Sequence, residues 1–280
     1  MQSLADALNT KGTTSIKNLP QISDERCPDC SRYLLVIDGE LSCGYCSLVK
    51  AEDERIGKEA RKELERREQM KALKLFDQES IINDRLKAVT FESYTPTNPS
   101  QEKAKQTVMR YVQNFNKDNP VPLLIMGDYG LGKSHLAAAA VKELAAKNIT
   151  SIFISVPKLL TKIKSTWDKQ TGVTENELLD ALERVDCLVL DDLGAEQTKR
   201  AKDGEISWSV SKLFEIIDAR IGKHTIFTTN LGHKELQEHL GPRNFSRAME
   251  GVHPIKIEGD DYRLRKFREE KAWSKHTERR

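Results

Sequence analysis

From residue 121 onward, short apolar runs alternate with longer stretches in which hydrophobic and polar positions mix at helical spacing. Residues 121–126 form the first run. A glycine-rich turn follows, and then an alanine-rich stretch, 134–147, that predicts a helix. Ile152, Phe153 and Ile154 make a second strand, and Pro157 opens another helix at a position that tolerates its missing N–H. Thr174 and Glu177 form a capping-box pattern ahead of Leu178, Leu179 and Leu182. Residues 187–190 read as a buried strand, 207–220 as a helix and 225–229 as a further strand. Strands alternating with helices predict an α/β fold, a parallel sheet with helices on both faces.

The preceding part has a different texture. Residues 48–88 run through Lys, Arg and Glu with scattered Ile56, Ala60, Leu64, Met70 and Leu73, and hold no Pro and no Gly after Gly57. Interleaved opposite charges predict a solvated helix, either a spacer or a partner-binding element, and the apolar positions are too sparse for a coiled coil. Thr95-Pro96-Thr97-Asn98-Pro99-Ser100 then punctuates the chain. The expected organisation is a small cysteine-bearing domain over 1–47, a charged helical linker over 48–88 and a main domain over 89–280.

Composition narrows the function classes. The 280 residues are 38% hydrophobic and 31% charged, with a formal net charge of +2, so any basic contact surface has to be local. No apolar run is long enough to span a membrane, and the first twenty residues lack the charged and apolar regions of a secretory signal. A cytoplasmic location is expected.

Gly127-Asp128-Tyr129-Gly130-Leu131-Gly132-Lys133-Ser134 matches the phosphate-loop pattern G-x-x-x-x-G-K-[ST]. The glycines let the backbone wrap so that N–H groups face phosphate oxygens, and the helix that follows points its positive end at the same anion. Lys133 supplies a point charge to the β- and γ-phosphates of ATP, and the Ser134 hydroxyl ligates Mg2+. The run 187–190 ends in Asp191 and Asp192. Asp191 at the strand end suits the magnesium ion, and Asp192 suits orientation or deprotonation of the attacking water. Asn230 closes the later strand with an amide that can bond the γ-phosphate or the water.

These segments together, Gly127 through His135-Leu136-Ala137, Leu190-Asp191-Asp192-Leu193-Gly194-Ala195-Glu196 and Ile226 through Leu231, resemble the AAA+ helicase loaders of the DnaC/DnaI type. The transposition ATPase IstB is a close relative of that family. The resemblance covers roughly residues 88–270. It implies an AAA+ P-loop core, ATP·Mg2+ binding by Gly127 through His135, slow ATP hydrolysis, self-association through the AAA+ domain, and delivery of a replicative ring helicase onto single-stranded DNA. It also implies that Asn230 is the sensor-1 residue, Arg247 (or Arg243) an arginine finger, and Arg263 a sensor-2 ligand. Asp192 stands where many AAA+ proteins carry Glu, which suggests slow turnover or help from Glu196. The family's DNA-lining insertion corresponds to residues 157–186, where Lys158, Lys162, Lys164, Trp167 and Lys169 are candidates for DNA contact and Trp167 alternatively packs on Leu160 and Ile163. An ATP-dependent partner of a DNA transposase, as in the IstB branch, is the alternative function.

Cys27, Cys30, Cys43 and Cys46 form C-x2-C-x12-C-x2-C. Each pair makes a knuckle whose thiolates can take adjacent corners of a tetrahedron, and the apolar run 34–37 before Asp38-Gly39-Glu40 predicts a hairpin that brings the pairs together. That arrangement is a zinc ribbon with a closed, structural Zn2+ site. In loaders of the resembled type, such an N-terminal module binds the helicase. Cys187 lies within a strand and is expected to be a small core residue.

Overall fold

The computed structural model describes residues 21–37, 39–77, 86, 88–168, 172–195 and 208–264. The chain divides into two compact units, one ending at Glu65 and the other beginning at Arg66.

In the first unit, strands β1 (Gln21–Arg26), β2 (Tyr33–Ile37) and β3 (Glu40–Ser42) form an antiparallel sheet in that order. Ile37 pairs with Glu40 across the predicted tight turn, and β1 is an additional strand without an alternating pattern to announce it. Helix α1 (Gly44–Asp77) starts inside the second cysteine pair, four residues before the charged run. Arg55 bridges Glu52 at 2.5 Å and Glu59 at 2.7 Å, the one-turn spacing that supports a helix with little apolar content. Ile22, Tyr33, Leu41 and Leu48 are exposed, and among the described residues of this unit only Cys27 is buried. So small an apolar interior cannot hold the sheet by itself.

The second unit takes in the last turns of α1, where the helix is no longer solvated. Ala72 and Phe76 are buried in the main core, Glu68 pairs with Arg184, and Gln69 Nε2 donates to Asp186 Oδ1 at 3.2 Å. Helix α2 (Pro99–Gln113) follows, capped by Asn98, whose side chain accepts the Gln101 N–H at 3.0 Å. Then come β4 (Leu123–Met126), α3 (Lys133–Ala146), β5 (Ser151–Ser155), α4 (Val156–Ser165), α5 (Glu175–Arg184) and β6 (Cys187–Asp191). Next come α6 (Trp208–Ala219), β7 (His224–Thr229), α7 (His233–Leu240), α8 (Pro242–Ala248) and β8 (His253–Lys256), and the described chain closes with a single 3-10 turn, Tyr262–Leu264, that carries Arg263.

The five strands run parallel in the order β5-β6-β7-β4-β8, the parallel α/β core that the strand–helix alternation predicted. Alternation along each strand divides the apolar side chains between two cores. Ile152, Ile154, Leu188, Leu190 and Phe227 face α4, α5 and α6, with Phe76 in the same cluster. Phe153, Cys187, Val189 and Ile226 face α2 and α3. The small side chains of Ala137, Ala138, Ala139 and Ala140, all buried, let α3 lie close on the sheet. Thr174 and Glu177 form the capping box expected at the start of α5. The other end of α5 is closed by the buried Arg220 guanidinium, which donates to the carbonyls of Glu183 (2.9 Å) and Val185 (2.6 Å). A cation there answers both the orphan carbonyls and the negative end of the helix dipole.

Candidate functional site

In a parallel sheet the strands' carboxyl ends share one edge, and ligands settle there. Tyr129, Gly130, Gly132, Lys133, Ser134 and His135 line a cleft of about 840 Å³ at that edge, together with Asp191, Asp192, Asn230 and Arg263. The fold thus gathers residues from four regions of the chain.

The loop from β4 to α3 is held in the shape a phosphate requires. Gly130 and Gly132 have φ of 73° and 81°, in the left-handed region that favours glycine. A Cβ on Gly132 would lie 2.4 Å from the Tyr94 ring, and one on Gly130 1.7 Å from Asp261 Oδ1. Neighbouring chain segments therefore press on the loop as closely as a ligand would. Tyr94 Oη also donates to the Leu131 carbonyl at 2.9 Å, and the Leu131 side chain is buried. His135, the residue after the motif, bonds back through Nε2 to the Thr90 carbonyl (3.0 Å) and Ser93 Oγ (3.1 Å).

Lys133 Nζ donates to the carbonyls of Gly127 (2.8 Å) and Asp128 (2.7 Å) and to Asn230 Oδ1 (2.6 Å). Burial lowers its pKa, opposed by the nearby charges of Asp192, Asp191 and Asp128. Asp191, buried at the end of β6, accepts the Thr228 hydroxyl at 2.6 Å. Burial pushes its pKa up to about 6, and Asp192 adds to the rise, while the hydroxyls of Thr228 and Ser134 and the Lys133 charge act the other way. Ser134 and Asp191 both line the cleft, and the Ser134 hydroxyl favours the charged carboxylate, so the two offer oxygens of the kind a hard cation such as magnesium takes.

Asp192 has φ of 57°, an unfavourable backbone conformation for a non-glycine residue that costs about 1–2 kcal/mol. Its N–H donates to Thr228 Oγ1 at 3.0 Å, and Asn230 Nδ2 reaches its carboxylate at 3.4 Å. Strain of this kind persists where a side chain has to be aimed. Here it turns the carboxylate towards Asn230.

Not every candidate enters the cleft. Arg247 lies on α8, outside the cleft, with its guanidinium 2.8 Å from Asp218 Oδ1, and Arg243 does not line the cleft either. Glu196 and Lys169 fall outside the described residues. Helix α4 ends at Ser165, and the side chains of its candidate lysines diverge. Lys158 lines the cleft, Lys162 lies over the Phe76 ring and Lys164 over Trp208. Trp167 is 59% exposed and meets Trp208 edge-on rather than packing on Leu160 and Ile163, with its Nε1 on Glu175 at 3.1 Å. Sequence reasoning missed Tyr94, Ser93 and Thr228. Tyr94 and Ser93 each support the site through one long-range bond and Thr228 through bonds to both Asp191 and Asp192, and no periodicity or motif signals such bonds.

The four cysteine Sγ atoms lie within 4.8 Å of one another, with Cys27 to Cys46 at 3.7 Å and Cys30 to Cys43 at 3.4 Å. None is in a disulfide. Thiolates at about 2.3 Å from a tetrahedral zinc would stand about 3.8 Å apart, so the set fits that ion. The Cys46 N–H directed at Cys43 sulfur holds the Cys43 thiol down to about 7, while the neighbouring sulfurs push the Cys46 thiol up and Cys30 is raised too, so a cation is needed for all four to be thiolates.

Among the described residues, no helix is long and apolar enough to cross a membrane. The replicative helicase loader DnaC of Buchnera aphidicola subsp. Schizaphis graminum is 29% identical over 177 residues, spanning 62% of this chain and 69% of that protein. The replicative helicase loader DnaI of Bacillus subtilis is 26% identical over 198 residues, spanning 65% of this chain and 60% of that protein. A solved structure of the DnaC helicase loader superposes with a TM-score of 0.55 at 29% identity, over 63% of this chain and 100% of that one. The profile of the IstB-like ATP binding proteins matches residues 48–270, most of the chain and all of the cleft, and the protein belongs to that ATP-binding family.

Proposed function

We propose that this chain is an ATP-dependent loader that places a replicative ring helicase on single-stranded DNA. The observation that carries this reading is the similarity to DnaC, whose solved chain is covered from end to end by part of this fold. In this reading Lys133 holds the β- and γ-phosphates, and Ser134 and Asp191 hold magnesium. The ion, when bound, neutralises charge on the phosphates. Asp192 orients and deprotonates the attacking water, Asn230 fixes that water or the γ-phosphate, and Arg263 reaches the phosphates from the same chain. The short Asp192 side chain favours slow turnover.

In this reading Arg247, outside its own cleft, serves a neighbouring copy as the arginine finger, with Arg243 the second candidate. Self-association would then complete the site. Cys27, Cys30, Cys43 and Cys46 hold a structural zinc ion, and the unit they organise contacts the helicase. The linker over 48–88 joins it to the ATPase domain over 89–280, with the last turns of α1 packed on that domain. Such a protein works in the cytoplasm, where the helicase is.

The family's name favours a second reading, an ATPase partner of a DNA transposase. One assay separates the two. ATPase turnover is measured with a replicative helicase and single-stranded DNA, and in parallel with a transposase and duplex DNA. Stimulation by the first pair alone supports the loader, and stimulation by the second pair alone replaces it.

A further inference from the structure

Ser155, the last residue of β5, pairs in register with Asp191 on β6. The carboxyl end of β5 therefore borders the acidic pair on one side, while β7, with Asn230 after it, borders it on the other. Lys133 stands on the Asn230 side, bonded to that amide. On the β5 side the chain turns directly into α4 at Val156, which places Lys158 in the first helical turn. Both Ser155 and Lys158 line the cleft.

Among the described residues nothing uses these groups. Ser155 precedes the helix but makes no side-chain cap, so the first N–H groups of α4 are left without that partner. Among the described residues Lys158 has no hydrogen bond, salt bridge or ring contact, whereas Lys162 and Lys164 on the same helix lie over Phe76 and Trp208. An unpaired ammonium and a helix amino terminus create positive potential at the acidic end of the cleft. That end holds Asp191 and Ser134, the magnesium ligands of the proposed reading, so in that reading the terminal phosphate of a bound nucleotide lies there. Because α4 buries Leu159, Leu160 and Ile163 in the core that also holds Phe76, the base of Lys158 is fixed. Only its flexible stem needs to move towards an anion.

We propose that Lys158 is a third phosphate-facing cation of this site, beside Lys133 and Arg263, meeting the γ-phosphate of ATP from the side opposite Lys133 and losing that contact in ADP. The proposal rests on the cleft being the ATP site. Helix α4 then reads the nucleotide state directly.

The test is the preference for a non-hydrolysable ATP analogue over ADP, each titrated with magnesium into the full chain. Lys158→Ala and Lys158→Gln are expected to weaken analogue binding about tenfold while ADP affinity stays within about twofold. Lys158→Arg restores most of the preference, which loss of a merely structural side chain would not predict. Lys133→Ala, run alongside, loses both nucleotides, and if it kept both, the reading of the cleft would fail instead. With Lys133→Ala behaving as expected, a Lys158→Gln protein that folds normally and binds both nucleotides as wild type overturns the proposal. Equal loss of analogue and ADP overturns it too. Weakened binding of single-stranded DNA with an unchanged nucleotide preference would make Lys158 a DNA contact.

Discussion

Asn230 Oδ1 accepts a hydrogen bond from Lys133 Nζ at 2.6 Å, tying the end of β7 to the first residue of α3 across 97 positions of sequence. With the Gly127 and Asp128 carbonyls it holds the ammonium on three acceptors, close to where the phosphates enter. Such preorganisation makes the charge available without a search through rotamers. Lys133→Ala should therefore abolish ATP binding, while Asn230→Ala should leave affinity within about threefold and lower turnover by about 10- to 100-fold. Fluorescent-nucleotide titration and steady-state ATPase rates measure the two effects. Unchanged affinity in Lys133→Ala would remove the phosphate-loop assignment.

The cysteine cluster predicts a metal dependence confined to the first unit. Native protein should carry about one equivalent of zinc, and strong chelation should unfold residues 21–47, because four thiols supply the interior that apolar side chains do not. ATP affinity should survive the treatment. Metal analysis and amide exchange are the measurements, and less than about half an equivalent of zinc in native protein would count against the site.

Phe76 predicts where the ATPase unit has to begin. Its ring is buried with Leu159, Leu160 and Ile163 in the main core, so Phe76→Ala should destabilise that unit by about 3–5 kcal/mol. A chain starting at residue 89 should unfold at lower denaturant than one starting at residue 66. Equal midpoints for the two chains would mean that the end of α1 contributes nothing to the unit.

Asp186 predicts an acid-sensitive contribution to stability. Burial raises its pKa, but the Lys117 ammonium at 2.7 Å and two bonds from Thr150, at 2.9 Å and 2.8 Å, outweigh burial and hold the carboxyl below its ordinary value. A carboxylate depressed in the fold stabilises it above the unfolded pKa, about 3.9, and that stabilisation disappears as pH falls through the folded value. Asp186→Asn should be less stable than wild type at pH 7 and should lose less on acidification below about pH 4. Urea midpoints across that range decide the matter, and parallel curves for the two proteins would be the contrary result.

How much of this was legible in the chain depended on the distance over which each determinant acts. The capping box at Thr174 and Glu177, the strand ending in Asp191 and Asp192, and the glycine pattern of 127–132 are local, and the fold has all three. The uniform charge of 48–88 concealed a change of environment. Leu73 packs against the main core while Leu64, the same residue type in the same charged run, is exposed, so the difference lies in what the folded chain lays against each. The lysines of α4 looked equivalent in sequence, yet Lys158 turns to the cleft and Lys164 to Trp208.

The sequence by itself determined the strand–helix alternation, the phosphate loop and the two cysteine pairs. Each is written in neighbouring residues whose conformational preferences act over a few positions. Only the tertiary structure decided that Asn230 meets Lys133, that Thr228 supports Asp191, that Tyr94 closes on Gly132 and that Lys158 borders the acidic pair. The first, second and fourth of these depend on strand order, because the parallel sheet sets β6 between β5 and β7 and β7 beside β4, while Tyr94 reaches the loop from outside the sheet, and no local rule connects any of these side chains.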